Sequence, residues 1–163
     1  MRLAIVSDSH VPSREPSIPE WVLDRCRAAD HVIHAGDYDS PEALATVREA
    51  SPELTAIHGN IDPDLGLPSV ATLDCDGVRF VVTHGTGDME GYEERVAGTV
   101  DANAVDGPTV GVSGHTHQVM DREVDGYRLL NPGSCTGASP ASETTMMSAT
   151  VEDGSVDVTV HEG

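Results

Sequence analysis

Five short apolar runs, each ending in a small cluster of polar residues able to hold a metal ion, constrain this chain more than any other feature. They read Leu3-Ala4-Ile5-Val6 into Asp8-Ser9-His10, and His31-Val32-Ile33-His34 into Gly36-Asp37. Leu54-Thr55-Ala56-Ile57 leads into Gly59-Asn60, Phe80-Val81-Val82-Thr83 into His84-Gly85, and Val110-Gly111-Val112-Ser113 into Gly114-His115-Thr116-His117. Runs this short, rich in β-branched residues and bounded by turn formers, predict buried strands. In open α/β sheets the ligand crevice lies beyond the carboxyl ends of the strands. Five strands would therefore deliver Asp8, His10, Asp37, Asn60, His84, His115 and His117 to one rim. Oxygen and imidazole donors without a thiolate suit Mn, Fe, Zn, Ni or Mg better than a soft metal or a structural zinc.

The spacing inside each cluster adds to this. Side chains at i and i+2 of an extended segment point to the same side, so Asp8 with His10, and His115 with His117, are expected to act as ligand pairs from one strand end. Gly36, Gly59, Gly85 and Gly114 let the backbone pass close to an ion or a phosphate. Asp37 is placed to bridge two cations, and ions about 3.5–4 Å apart are the usual device for activating water and clamping a phosphoryl group. Singly, an Asp-x-His or a Gly-Asp is a common turn. Five such clusters in order, each after a strand, are not.

That order resembles the calcineurin-like metallophosphoesterases, from Met1 to about Gly137. The likeness is closest to the small single-domain phosphodiesterases, a branch that includes the metallophosphoesterase-like subunit of retromer. It rests further on His10-Val11-Pro12-Ser13-Arg14 with Ile18-Pro19, on Gly59-Asn60-Ile61-Asp62, and on Asn131-Pro132-Gly133-Ser134-Cys135-Thr136-Gly137. The resemblance implies one metal on Asp8, His10, Asp37 and His117, and a second on Asp37, Asn60, His84 and His115. It implies a four-layer αββα sandwich, two stacked mixed β-sheets flanked by helices. Manganese is the metal the family suggests, with Fe, Ni, Zn or Mg as alternatives.

Two positions depart from the family pattern. Many members follow the motif asparagine with a histidine that protonates the leaving group; here Ile61 stands there, followed by Asp62. Relatives of this branch often carry a second histidine two places after the metal histidine, where this chain has Thr86. Isoleucine cannot transfer a proton, which leaves Asp62 as a substitute donor or simply a turn aspartate before Pro63. The expected activity is hydrolysis of phosphate esters, diesters before monoesters, through in-line attack by a metal-bridging hydroxide, with Asn60 and His115 holding the phosphate geometry. The alternative is a non-catalytic interaction scaffold of the retromer-subunit type.

Composition sets the surroundings. A chain of 163 residues suits a single domain over 1–163, able to bury about 70% of its unfolded surface. No apolar run approaches the ~18 residues of a membrane span, and no signal peptide is evident. Cys26, Cys75 and Cys135 are odd in number and widely spaced, which reads as reduced packing cysteines of a cytoplasmic protein. Formal charge is −19, with 28 acidic residues against nine arginines and no lysine. Such self-repulsion weakens a compact fold in dilute buffer and is tolerable in molar salt, where the Debye length is about 3 Å. The surface reads as that of a halophilic cytoplasm, and with no basic stripe a nucleic-acid partner is not expected. A small phosphate ester is the expected substrate; homo-oligomerisation is left open.

Between the clusters, Pro19-Glu20-Trp21 is predicted to open a helix to about Ala29 with Trp21, Val22 and Cys26 buried. Ser40 caps a second helix with Pro41 in its first turn, and a third covers Tyr92 to about Val100. Asp76-Gly77, Asp125-Gly126 and Asp153-Gly154 mark three hairpins. Asn131–Ser134 is expected to be a tight turn supporting the rim, Arg14 either a substrate-phosphate contact or a solvated loop residue, and His34 and His58 satisfied core or rim histidines.

Overall fold

The computed structural model of the protein describes residues 1–163. Its elements run β1 (Arg2–Val6), α1 (Glu20–Ala28), β2 (His31–His34), α2 (Pro41–Ala50), β3 (Leu54–Ala56), β4 (Val70–Cys75) and β5 (Val78–Thr83). They continue with α3 (Tyr92–Ala102), β6 (Thr109–Val112), β7 (Val119–Val124), β8 (Tyr127–Pro132), β9 (Thr145–Glu152) and β10 (Ser155–Glu162). Two five-stranded mixed sheets result, in the orders β10-β9-β1-β2-β3 and β4-β5-β6-β8-β7.

Strand alternation decides the layering. Along β1, Leu3 and Ile5 face the second sheet, while Ala4 and Val6 turn outward to meet Val22, Cys26 and Val47 of the first two helices. Along β5, Phe80 and Val82 enter the same inter-sheet core with Ile33, Val112, Leu130 and Met147. Val81 points the other way, onto Val96, Ala97 and Val100 of α3. A strand buried on both faces shows an unbroken apolar run, which is why period-2 alternation is invisible in these sequences and the runs read as continuous. The αββα sandwich expected from the resemblance is the observed fold.

The Asp-Gly pairs make the hairpins β4–β5, β7–β8 and β9–β10. Asp76, Asp125 and Asp153 take φ of 43°, 51° and 48°, as the left-handed positions of these turns require. Ser40 caps α2 by accepting a hydrogen bond from the Ala43 amide at 3.1 Å. Two expectations are corrected. Leu23, not Trp21, joins Val22 and Cys26 in the buried stripe of α1; Trp21 stays half-buried. Asn131 and Pro132 are not turn residues but the last two of β8, where Pro132 lies opposite Val119 in the register. Proline is tolerated at the end of a strand; the turn follows at Ser134–Gly137, closed by the Gly137 amide on the Ser134 carbonyl at 3.3 Å.

Candidate metal centre

The ends of β1, β2, β5 and β6 converge, and the loops after them bring together five buried side chains: Asp8, His10, Asp37, His84 and His117. Asp8 and Asp37 are the only acidic residues among the buried ones. Burying a carboxylate is costly unless it is paired or coordinates a metal, so the position of these two singles them out. Oδ1 of Asp8 lies 3.7 Å from His10 Nε2, 3.3 Å from His117 Nε2 and 3.8 Å from His84 Nε2. Oδ2 of Asp37 lies 3.5 Å from His10 Nε2 and 3.1 Å from His84 Nε2.

Two groups have the geometry to hold a cation: Asp8, His10 and His117, and Asp8, Asp37 and His84, each with one donor atom per residue within 4.8 Å of the others. The donor chemistry fits. Nδ1 of His84 donates to the Ala35 carbonyl at 2.7 Å, and Nδ1 of His117 to the Ala138 carbonyl at 2.8 Å. Such bonds fix the ring orientation and leave Nε2 to meet an ion. His84 Nε2 is buried and, although 3.1 Å from Asp37 Oδ2, makes no aligned hydrogen bond. Two donors side by side and aimed past each other are arranged as ligands to a common point. His10 Nδ1 has no partner at all, so this ring lacks the outer bond that orients the other two.

Electrostatics follow the same pairing. Burial pushes the Asp8 carboxyl up, but contacts with His10 and His117 overcome it and hold Asp8 well below the usual carboxylate range. Burial also opposes ionisation of Asp37, yet His84 pulls it down. Burial disfavours the His84 cation, and Asp37 and Asp8 nonetheless raise it to about 9. His117 is raised in the same way by Asp8. Without a cation, the proton that His84 keeps offsets part of the charge of the two carboxylates.

The backbone is bent to make this cluster. Asp8, His10, Asp37, His115 and His117 have φ of 54°, 47°, 63°, 74° and 60°. L-residues other than glycine rarely enter that region, and it persists where surroundings over-determine it, often at functional sites. The extended i, i+2 geometry expected for Asp8/His10 and His115/His117 is therefore corrected. Strand β1 ends at Val6 and β6 at Val112, and both pairs sit in left-handed loops beyond them. The convergence survives, but sharp loops achieve it, not pleating.

His115 and Asn60 lie at the open edge. Nδ1 of His115 is 3.1 Å from Asn60 Oδ1, and its Nε2 donates to the Gly87 carbonyl at 2.8 Å. With Nε2 carrying the proton, Nδ1 offers a lone pair, and a turned Asn60 amide would present its NH₂ there. The His115 ring meets that of His84 edge-on at 5.3 Å, so the two residues adjoin the buried group without belonging to it.

Asp62 has a geometry unlike that of a proton donor. Its Oδ1 accepts from the amides of Tyr38 and Asp39 at 2.7 and 2.9 Å, and its Oδ2 from those of Gly59 and Asp37 at 2.8 and 3.0 Å. It clamps the Asp37 loop to the Gly59 loop. Arg14 spends Nη1 on the Ser139 carbonyl at 2.7 Å. His34 is a satisfied core histidine that also shapes the site: Nδ1 accepts from the Gly36 amide at 3.1 Å, and Nε2 is 2.8 Å from Ser9 Oγ. Burial lowers it to about 3, so it is neutral.

The segment Asn131–Gly137, expected to support the rim, does so through individual side chains whose contacts the sequence did not specify. Ser134 Oγ donates to the Asp8 carbonyl and Thr136 Oγ1 to the Ser9 carbonyl, each at 2.7 Å. Ser7 Oγ donates to Asp8 Oδ2 at 2.6 Å, and the Asn131 amide group reaches the Gly114 carbonyl at 2.9 Å. Serine and threonine are common loop residues; only the contacts across 126 or 127 positions of chain give these two their meaning.

A family model described as a calcineurin-like phosphoesterase superfamily domain matches residues 1–154. A probable metallophosphoesterase of Methanothermobacter thermautotrophicus is 33% identical over 138 residues, 83% of this chain and 78% of the relative. A phosphodiesterase of Methanocaldococcus jannaschii is 24% identical over 152 residues, 84% of this chain and 86% of the relative. Among solved structures, Vps29 of Entamoeba histolytica complexed with Zn²⁺ superposes with a TM-score of 0.73 at 28% identity, covering 99% of both chains.

Proposed function

The chain belongs to the calcineurin-like phosphoesterase superfamily, and on that premise we propose that it is a metal-dependent phosphodiesterase working as one domain across its 163 residues. The observation that carries the reading is the burial of Asp8 and Asp37 among His10, His84 and His117, with His84 Nε2 unpartnered and the Nε2 atoms of His10 and His117 brought within 3.1 Å of each other. Asp8, His10, Asp37 and His117 would hold one divalent cation; Asp37, Asn60, His84 and His115 would hold a second. Manganese is the proposed metal for this oxygen and nitrogen donor set. Bound cations supply a water acidic enough to attack at neutral pH and neutralise charge on the phosphoryl oxygens.

The chain's own groups do the rest. The edge position of Asn60 and His115 lets them face an entering phosphate, while the carbonyls of Ala35 and Ala138 keep His84 and His117 in register. Ile61 cannot donate a proton, and all four bonds of the Asp62 carboxylate go to amides. Substrates whose alcohol leaves without protonation are thus favoured, and diesters over alkyl monoesters. The proposed setting is a cytoplasm of high salt.

Protein stripped with chelator and reloaded with Mn²⁺ in molar KCl should hydrolyse bis(p-nitrophenyl) phosphate, with the stripped protein inactive. Equal rates in stripped and loaded protein would overturn the reading. The full-length likeness to Vps29 favours a second reading, an interaction scaffold; a stable co-purifying protein and no hydrolysis by loaded protein would decide for it.

A further inference from the structure

The two imidazoles assigned to the second cation are held in different ways. His84 is buried and anchored on the Ala35 carbonyl. His115 is only partly buried, and the backbone group its ring bonds is the Gly87 carbonyl, which accepts from Nε2 at 2.8 Å. That bond decides what the ring can do. With the proton on Nε2, Nδ1 keeps a lone pair on the side of Asn60, whose Oδ1 is 3.1 Å away. Gly87 is a poor anchor by itself, since it lies in the exposed, irregular run 86–90 between β5 and α3, with a φ of 132°.

Arg95, near the start of α3, supplies the missing rigidity. Its Nη2 donates to the Gly85 and Asp88 carbonyls, each at 2.9 Å, and so ties the chain down on both sides of Gly87. The guanidinium also lies against Gly87 itself, where a Cβ would stand 2.9 Å from Cζ and 3.1 Å from Nε and Nη2. This contact is unlike those of the surface arginines. Arg2, Arg27, Arg79, Arg122 and Arg128 pair with carboxylates. Arg95 makes no such pair, gives its bonds to carbonyls, and has Nε buried without a partner. Taking a guanidinium partly out of water without a carboxylate is costly, and this chain has 28 acidic residues to choose from. The first cation's ligands are anchored elsewhere: His117 on the Ala138 carbonyl, and the Asp8 carbonyl on Ser134.

We propose that Arg95 is a positioning residue for the second cation: it fixes the Gly85–Asp88 segment, whose Gly87 carbonyl holds the His115 ring with Nδ1 facing Asn60. It touches neither cation nor substrate and acts through His115. The proposal rests on the two-cation reading above, and adds that this half of the centre is built from α3, a helix that carries no ligand.

The test is calorimetric titration with Mn²⁺ of chelator-stripped protein in molar KCl, for the parent, Arg95→Met, His115→Ala and the double variant. The parent should bind two ions, and the step that His115→Ala weakens identifies the second. Arg95→Met should weaken that same step about tenfold, as loss of a hydrogen-bond partner behind a ligand does, and change the other by less than about twofold. In the His115→Ala background it should have no further effect, because its influence passes through that ring. Arg95→Lys should keep the second step within about threefold of the parent, since both bonds come from one nitrogen and an ammonium carries donors for both. Arg79→Met, which removes a surface pair with Asp74, should change neither step. Four results would each overturn the assignment: Arg95→Met weakening both steps alike, leaving both unchanged, or adding its full loss to that of His115→Ala, and Arg95→Lys binding as poorly as Arg95→Met. Should Arg95→Met fail to fold, Arg95→Gln, shorter and uncharged, stands in under the same criteria. A parent that binds one ion would refute the two-cation reading and the role of Arg95 with it. Selective loss of the second ion in a protein that hydrolyses no diester would uphold Arg95 and refute the enzymatic reading alone.

Discussion

At the scale of single residues, Asp62 separates two kinds of acid that look alike in sequence. Its two oxygens accept four amides that join the Asp37 and Gly59 loops. Asp62→Asn replaces one acceptor oxygen by an NH₂ that faces two N–H groups, at a cost of about 1–3 kcal/mol for the groups left unpaired. Turnover and bound metal should fall together, by the same factor for p-nitrophenyl and for alkyl leaving groups. A loss confined to poor leaving groups, with full metal content, would instead make Asp62 the proton donor. The histidines predict a pH profile for the metal-free protein. His34, lowered to about 3 by burial, stays neutral in the fold while the unfolded chain takes up its proton near pH 6.5. Its stabilising contribution is therefore complete above pH 6.5 and declines as pH falls toward 3, by about 1.4 kcal/mol per unit. Asp8 and Asp37, held below the usual carboxylate range, deepen that loss under pH 4. His84 acts in the opposite direction: raised to about 9, it favours the fold below pH 6.5 and loses that effect as pH climbs to 9. Urea midpoints of chelator-treated protein should peak near pH 6.5 and fall on both sides. Mn²⁺ should abolish the alkaline fall, because the cation takes the place of the His84 proton. A metal-free midpoint that is flat from pH 6.5 to 9 would contradict the charge balance argued here.

At the scale of elements, strands, helices and hairpins were legible because each follows from a local rule. The apolar runs became β1, β2, β3, β5 and β6, Ser40 capped α2, and the Asp-Gly pairs closed hairpins. What the sequence could not express was the shape of the loops that follow the strands. Left-handed φ at Asp8, His10, Asp37, His115 and His117 is imposed by contacts from distant segments, among them Ser134 on the Asp8 carbonyl and Asp62 on the Asp37 amide. The candidate ligands themselves were readable by residue type and order, whereas of their support only the segment Asn131–Ser134 was, and not the contacts it makes. Misreading Asn131-Pro132 as a turn has the same origin: β8 is set by its pairing with β6 and β7, not by local propensity. Glycines in these loops are where an element-level prediction is sharpest. A Cβ at Gly59 would collide with the backbone nitrogen and Oδ1 of Asp37, and one at Gly114 with Ser7 Oγ and Asp8 Oδ2. In Gly59→Ala the clash partner is backbone, so the loop must shift, costing about 1–3 kcal/mol and displacing Asp37. Gly98→Ala, in the interior of α3 with open space at its Cβ, should instead stabilise by about 0.5–1 kcal/mol. Urea denaturation with metal analysis of both variants checks the contrast: Gly59→Ala should lose stability and metal, and Gly98→Ala should lose neither.

At the scale of the whole molecule, the same residue type does two unrelated jobs. Asp8 and Asp37 are buried at the site, and the other acidic residues of the 28 lie at or near the surface. The cations available to offset them are nine arginines. Arg2, Arg27, Arg79, Arg122 and Arg128 are paired with carboxylates, and these are exposed or half-exposed pairs. Exposed pairs contribute between nothing and about 1 kcal/mol each, too little to offset repulsion at a formal charge of −19. Salt acts on both terms with opposite signs. Raising it from 10 mM to 1 M shortens the Debye length from about 30 Å to about 3 Å, which removes most long-range repulsion and weakens the few pairs. The excess of acid over base makes the first effect the larger. Kosmotropic salts add to it by strengthening apolar burial, and this core is aliphatic apart from Cys75, Met147 and Phe80. The melting temperature should therefore rise between 10 mM and 2 M KCl. A gain of a few kcal/mol corresponds to about 10 °C at this chain length. Potassium sulfate at matched ionic strength should raise it further, and divalent chloride at millimolar concentration should reproduce only the part due to the metal centre. The last comparison separates site from surface: Asp37→Ala should erase the millimolar divalent effect and keep the molar KCl effect. A melting temperature that stays level or falls in molar KCl would refute the halophilic reading of the surface and leave the metal centre untouched.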